Sequence, residues 1–234
     1  MASDTQTLTG PSVKPASGKP AKQLVVFLHG VGADGEDLIS LAPMFAHALP
    51  DAHFVSPNAP QACDMAPYGY QWFSLQDRNP SVMLKGIQET APLLNKFIDA
   101  ELKKLGLTDE NLMLVGFSQG TMMSLYTALR RPKACAAVVG YSGALLAPEL
   151  LKSEARSTPP VCLIHGNADM VVAHGSMAVA EAGLKEAGIS VETHSRPGLG
   201  HGIDPQGISL AREFLERQLS GVALSGSPAK SRGR

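Results

Sequence analysis

The chain has 234 residues, 44% of them hydrophobic, and its 20 basic and 21 acidic side chains leave a formal net charge of −1. That is enough apolar material for one sizeable core, and the balanced charge argues against nucleic acid as the main partner. No apolar run approaches the ~18 residues that suggest a membrane-spanning helix, so no stable membrane insertion is expected.

Residues 1–21 are rich in Ser, Thr, Pro, Gly and Lys and read as a flexible N-terminal segment, part of it able to pair as an edge strand. They lack the charged-then-apolar pattern of a secretory signal. Residues 23–28 form a continuous apolar run, the mark of a strand buried on both faces. Helical spacing covers 37–49, and a short strand covers 53–56. Residues 82–105 carry the pattern of a long amphipathic helix, with Gly106 as its C-cap and a kink or break expected at Pro92. Strands follow at 111–115, 134–141, 161–164 and 191–195. Helices are expected at 121–129, 176–187 and 205–219. Alternating β and α elements predict a mostly parallel central sheet with helices on both faces, formed by residues 22–219. Residues 220–234 read as a disordered, basic tail. Cys63, Cys135 and Cys162 are odd in number and lack C-x-x-C spacing, so neither a zinc site nor a disulfide framework is expected. A reducing cytoplasm suits such a set.

Between the strand at 111–115 and the helix at 121–129 lies Gly116-Phe117-Ser118-Gln119-Gly120. Strand, G-x-S-x-G and helix in that order is the context of a nucleophile elbow, in which a strained turn lifts a serine hydroxyl above the sheet. A serine hydroxyl is a weak nucleophile at neutral pH. It needs a base within hydrogen-bond reach, and the base needs an orienting acid. In this type of site the chain order is Ser, acid, His.

Asp169 ends the turn after the strand at 161–164 and is assigned as the acid, ahead of Glu149, Glu154, Glu181, Glu186 and Glu192, which read as solvated positions. His174, His194 and His201 follow it. His201 lies in the glycine-rich loop Pro197-Gly198-Leu199-Gly200-His201-Gly202, which suits an imidazole that must swing over the elbow, and it is assigned as the base ahead of the other two. The early loop Leu28-His29-Gly30-Val31-Gly32 and the residue after the serine are expected to give the two oxyanion donors, the backbone N–H groups of Val31 and Gln119. His29 reads as a scaffold residue of that loop. Gly30, Gly32 and Gly35 have the spacing of the dinucleotide fingerprint G-x-G-x-x-G, but that pattern alone is a weak signal and a dinucleotide site is not expected.

Together with Pro57-Asn58-Ala59-Pro60, Gln71-Trp72-Phe73, His165-Gly166 before Asp169-Met170-Val171-Val172, and Gly200-His201, these motifs make the chain resemble the bacterial phospholipase/carboxylesterase group of α/β-hydrolases. That group is related to acyl-protein thioesterases and lysophospholipases. The resemblance spans residues 22 to 219. It implies the α/β-hydrolase fold without a large lid, a Ser118/Asp169/His201 triad, a Val31/Gln119 oxyanion hole, and neither metal nor organic cofactor. It leaves a homodimer open. The early loop reads Gly32-Ala33-Asp34-Gly35 where eukaryotic thioesterases resemble Gly-Asp-Thr-Gly.

On the substrate side, Trp72 and Phe73 are expected to wall an acyl pocket, with Met122, Met123, Val171 and Val172 as further lining candidates. Few charged residues border the motifs, which suits uncharged esters. The expected activity is carboxylesterase action on short- to medium-chain acyl esters. A thioesterase or lysophospholipase using the same residues is the alternative, and a non-catalytic hydrolase-fold ligand receptor is the rival from another class.

Overall fold

A computed structural model describes the backbone of residues 7–225 and the side chains up to Ser220. The principal sheet has seven strands: β1 (Ser12–Val13), β2 (Gln23–Leu28), β3 (Ala52–Val55), β6 (Leu112–Phe117), β7 (Ala137–Tyr141), β8 (Val161–Gly166) and β9 (Val191–Arg196). Their spatial order is β1-β3-β2-β6-β7-β8-β9. Only β1 runs antiparallel, against β3, and the other neighbours pair in parallel. A separate hairpin pairs β4 (Gln61–Ala62) with β5 (Tyr70–Gln71).

The strand sequences explain why both faces are covered. Leu24, Val26 and Leu28 of β2 join Leu112 and Leu114 of β6 in one buried cluster, while Val25 and Phe27 join Met113 and Val115 in another. Successive side chains point to opposite faces of a strand, so a run with no polar alternation needs two apolar partners. One layer is α3 (Pro80–Leu105), α4 (Gln119–Arg130) and α6 (Gly175–Glu186); the other is α1 (Gly35–Ile39), α2 (Ala42–Ala46) and α7 (Pro205–Ser225). Between β7 and β8 stand only a one-turn helix, Pro148–Leu150, and α5 (Leu151–Glu154). No helical lid is inserted there.

Several expectations need correction. The helix expected over 37–49 is two short helices. Pro43 has no N–H to give the Ile39 carbonyl, so the first ends and the second begins around it. The long helix starts earlier, at Pro80 behind the Asn79 cap, and runs unbroken through Pro92. Pro92 and Gln88 both face solvent, where water can satisfy the carbonyl that Pro92 leaves without a donor. The segment before β2 is pinned over its described part: Leu8 is buried, Ser56 N–H donates to the Pro11 carbonyl, and Asn58 N–H donates to the Thr9 carbonyl. Finally, α7 continues to Ser225 instead of ending at 219. The intervening Val222, Ala223 and Leu224 are compatible with helix, whereas Pro228 would oppose it. Residues 226–234 of the expected tail and residues 1–6 of the N-terminal segment lie outside the described residues.

Candidate active site

All the candidate reactive residues come from the carboxyl ends of parallel strands, where loops converge. Ser118 sits between β6 and α4 with φ 54° and ψ −116°, a conformation that costs a non-glycine residue of order 1–3 kcal/mol. The surroundings impose it. Ser118 N–H donates to the Tyr141 carbonyl at 2.9 Å, and Thr121 N–H donates to the Ser118 carbonyl at 3.0 Å. The Thr121 hydroxyl lies 2.9 Å from the Gly116 carbonyl and 2.8 Å from that of Tyr141. Both glycines of the pentapeptide are sterically required. A Cβ on Gly120 would lie 1.8 Å from the Leu28 carbonyl oxygen, and one on Gly116 would lie 2.4 Å from the Gly120 carbonyl oxygen.

Asp169 follows β8, and its side chain is fully shielded from solvent. One carboxylate oxygen accepts the Val171 and Val172 N–H groups at 2.8 and 2.9 Å. The other faces His201 Nδ1 at 2.7 Å. Burial pushes the carboxyl up, but the hydrogen bonds from His201, Val172 and Val171 outweigh it, and Asp169 stays ionised below the usual carboxylate range. An ionised carboxylate only accepts, so Nδ1 of His201 carries the proton and Nε2 is left with its lone pair. The His201 ring packs on Phe117, the neighbour of Ser118, at 4.9 Å between ring centroids.

The loop that carries His201 is clamped at its base. Arg196, the last residue of β9, donates to both oxygens of Asp204 at 2.8–3.2 Å. Asp204 in turn accepts the Gly207 N–H of α7 at 2.7 Å. The other two histidines lie elsewhere: His174 is paired with Ser195 and His194 with Glu192.

The early loop passes beside the serine, since a Cβ on Gly30 would approach Ser118 Cβ at 3.4 Å. Gly32 N–H donates to the Tyr70 carbonyl and Tyr70 N–H to the Ala33 carbonyl, each at 2.8 Å, so the β4–β5 hairpin braces the turn. His29 is buried with Nδ1 2.7 Å from the Gly30 carbonyl and Nε2 accepting the Ala59 N–H at 3.0 Å. These roles fix a neutral imidazole, and burial lowers its pKa. His29 thus shapes the loop. Gln119 opens α4, where backbone N–H groups lack a helical partner.

A model of the phospholipase/carboxylesterase family matches residues 10–219. The chain belongs to that family. It is 42% identical to esterase PE8, whose crystal structure superposes with a TM-score of 0.87 over 91% of this chain and 99% of that one. Esterase YpfH of Escherichia coli is 29% identical, covering 84% of this chain and 83% of the relative. An acyl-protein thioesterase 1 from Eremothecium gossypii is 30% identical, covering 94% and 98% respectively. The fold is that of the α/β-hydrolases, and the chain is a hydrolase acting on carboxylic esters.

The esterase has a cleft of about 230 Å³ at the serine. Val31, Ser118, Met122, Val171 and Val172 line it, as do Leu75, Arg78, Met83, Ala173 and Ser176, which periodicity and motifs did not reveal. Trp72 and Phe73 are not in its wall, contrary to expectation. Both are fully buried in the core. The Gln119 carboxamide accepts the Trp72 N–H at 2.9 Å and donates to the Phe73 carbonyl at 2.7 Å. The indole N–H donates to the His29 carbonyl at 3.0 Å, and the Thr90 hydroxyl donates to the Trp72 carbonyl at 2.7 Å. A buried indole needs an acceptor, and this one ties the early loop to the elbow and to α3. Met123 is likewise core.

His165 was also missed as a site residue. Its Nε2 lies 2.9 Å from the Val172 carbonyl and 3.2 Å from Asp169 Oδ2. Both neighbours are acceptors, so Nε2 carries the proton and steadies the acid turn. Its sequence signal was only the His-Gly pair at the end of β8. A further cluster, Cys162 with Glu192 and His194, has ligand-type atoms close together. There Arg217 already donates to both Glu192 oxygens, and burial pushes the Cys162 thiol up, which keeps it protonated and a poor metal ligand.

Proposed function

We propose that this esterase hydrolyses short- to medium-chain acyl esters with Ser118 as nucleophile, His201 as base and Asp169 as orienting acid. The observation that carries the proposal is the 2.7 Å contact between His201 Nδ1 and Asp169, in a site where Ser118 holds a strained elbow conformation. With its Nδ1 proton engaged, His201 offers Nε2 to take the Ser118 proton as Oγ attacks the acyl carbonyl. Asp169 stabilises the imidazolium that forms. The Val31 and Gln119 N–H groups are assigned to the developing oxyanion, where each such donor is worth ~10²–10³ in rate. The alcohol leaves with the proton from His201, and water then attacks the acyl-enzyme along the same route.

The cleft volume supports the chain length, because about 230 Å³ is below the ~300–1,000 Å³ of sites for drug-sized ligands. Thioester hydrolysis by the same residues is the second reading, supported by similarity to the Eremothecium thioesterase. The reading extends to a cytoplasmic enzyme: all three cysteines are free thiols, as a reducing compartment would keep them. Among the described residues no helix is long and apolar enough to cross a membrane.

The test is turnover of p-nitrophenyl esters from acetate to palmitate, beside acyl thioesters, with Ser118→Ala as control. Turnover is expected to peak at short or medium chains and to fall to background in the variant, a loss of about 10⁶-fold if the serine protease precedent holds. Full turnover by folded Ser118→Ala protein would remove the serine from the mechanism.

A further inference from the structure

The lining of the cleft is aliphatic or methionine but for Ser118, Ser176 and one charged side chain, Arg78. No motif or periodicity marks a charge there. Elsewhere the arginines with ion-pair partners are committed: Arg130 to Glu154, Arg131 to Asp99 and Asp109, Arg196 to Asp204, Arg217 to Glu192. Among the described residues Arg78 has no carboxylate within ion-pair distance and no side-chain hydrogen bond. The adjacent Asp77 is not within ion-pair distance of it and accepts the Asn79 N–H at 2.9 Å. The backbone at Arg78 is anchored on its C-terminal side. Asn79 caps α3 by accepting the Ser81 N–H at 3.1 Å, and Pro80 fixes the first turn. The positive end of that 26-residue helix begins two residues after Arg78.

We propose that Arg78 is a specificity residue that binds an anionic group carried by the ester substrate, a carboxylate in the first instance, while the ester carbonyl sits at Ser118. A guanidinium presents a planar fork of N–H donors matched to a carboxylate or phosphate. A fork with no partner in the protein, at the wall of an otherwise apolar cleft, gains most from a partner on the substrate. A neutral ester leaves it to water. The preferred substrates are thus acyl esters with a negative charge a few bonds from the scissile carbonyl, such as monoesters of a dicarboxylic acid. The group binds in ground and transition states alike, so its loss falls on KM more than on kcat.

This inference rests on the serine reading above, and the experiment separates the two. Three esters are compared at low ionic strength: p-nitrophenyl pentanoate, p-nitrophenyl hydrogen glutarate with its charge on the acyl side, and p-butyryloxybenzoate with its charge on the alcohol side. The readout is the ratio of kcat/KM for each anionic ester to that for the neutral one, so general effects of a substitution cancel. In Arg78→Gln the ratio is expected to fall about three- to fivefold for at least one anionic ester, the scale of an ion pair made by an exposed guanidinium. The ester affected identifies the side on which the anion is held. Arg78→Lys should recover part of the loss, and salt should narrow the wild-type preference. Ratios unchanged in Arg78→Gln for both anionic esters overturn the proposal while leaving the esterase reading intact. A wild-type protein that turns over none of the three overturns both.

Discussion

The two walls of the cleft are built on different terms. The wall bearing Ser118, Val31 and Val171 follows strand ends, and its turns are held by backbone hydrogen bonds and by approaches that admit no Cβ. The opposite wall, with Leu75, Arg78 and Met83, comes from the stretch between β5 and the first turns of α3, where Leu75 and Met83 are half-buried and Arg78 is exposed. The first wall has few sterically allowed solutions, so its residues are pinned by local sequence. The second tolerates many side chains, so it can set substrate preference without disturbing the chemistry. The contrast yields graded expectations, from changes that stop the reaction to changes that retune it.

Asp169→Asn should have the largest effect of these. The asparagine keeps the size of the side chain but favours the wrong tautomer of His201, and kcat is expected to fall ~10⁴-fold on the serine protease precedent. Steady-state kinetics with circular dichroism of the same sample would check it. A loss below tenfold in a folded variant would mean another carboxylate orients the base.

The rigid wall should be equally intolerant in stability. Gly120→Ala forces a Cβ to within 1.8 Å of the Leu28 carbonyl oxygen, a backbone clash that no side-chain rotation relieves. A destabilisation of about 3 kcal/mol or more is expected. Gly175 opens α6 with nothing within 4 Å of a built Cβ, so Gly175→Ala should be stabilising by about 0.5 kcal/mol. Denaturant melts of the pair would break the steric argument if the two glycines behaved alike.

Much of the rigid wall was readable because its constraints are local. Ser118 was visible because strand, Gly-x-Ser-x-Gly and helix are contiguous. Asp169 and His201 were reachable because each follows a strand in the required order. Trp72 and Phe73 were misplaced because their burial depends on Gln119, 46–47 residues away in the chain. Pro92 looked like a break because sequence alone does not say that Gln88, whose carbonyl it leaves without a donor, faces water. Arg78 and His165 were not singled out, since no spacing or periodicity marks a side chain that meets its site only through the assembled sheet. The break within 37–49 has a local cause at Pro43, and the helix beyond 219 runs on where no proline intervenes before Pro228.

The histidine loop has a clamp of its own. Asp204 accepts from Arg196 and caps α7, and the hydrogen bond from Arg196 holds its carboxyl below the ordinary range. Asp204→Ala should cost about 1–2 kcal/mol at neutral pH, summing a lost cap and a partly shielded ion pair. A depressed folded pKa means the contribution is complete above the unfolded value of ~3.9 and is lost as pH falls through the folded one. Wild type and variant should therefore converge in stability in acid. A stability gap that persists unchanged there would show that the carboxylate's charge is not what Arg196 reads.

The cleft can also be retuned from its lining beside the elbow. Met122 lines the cleft and is 8% exposed, one turn into the helix that Ser118 precedes. Met122→Trp adds bulk to a space of about 230 Å³ without touching the elbow glycines or the Asp169–His201 pair. Each methylene that a small apolar pocket accepts or refuses is worth ~1–3 kcal/mol in discrimination. The ratio of kcat/KM for octanoate to that for acetate should thus fall by about tenfold or more, and the optimum in the p-nitrophenyl series should move to shorter chains. The whole series is needed, since a uniform fall at every length would signal damage to the elbow. An optimum that stayed in place would mean the acyl chain leaves the serine by another route, and the shared position of Met83 points to one: that residue also borders a larger groove of about 590 Å³ between the start of α3 and residues 145–149.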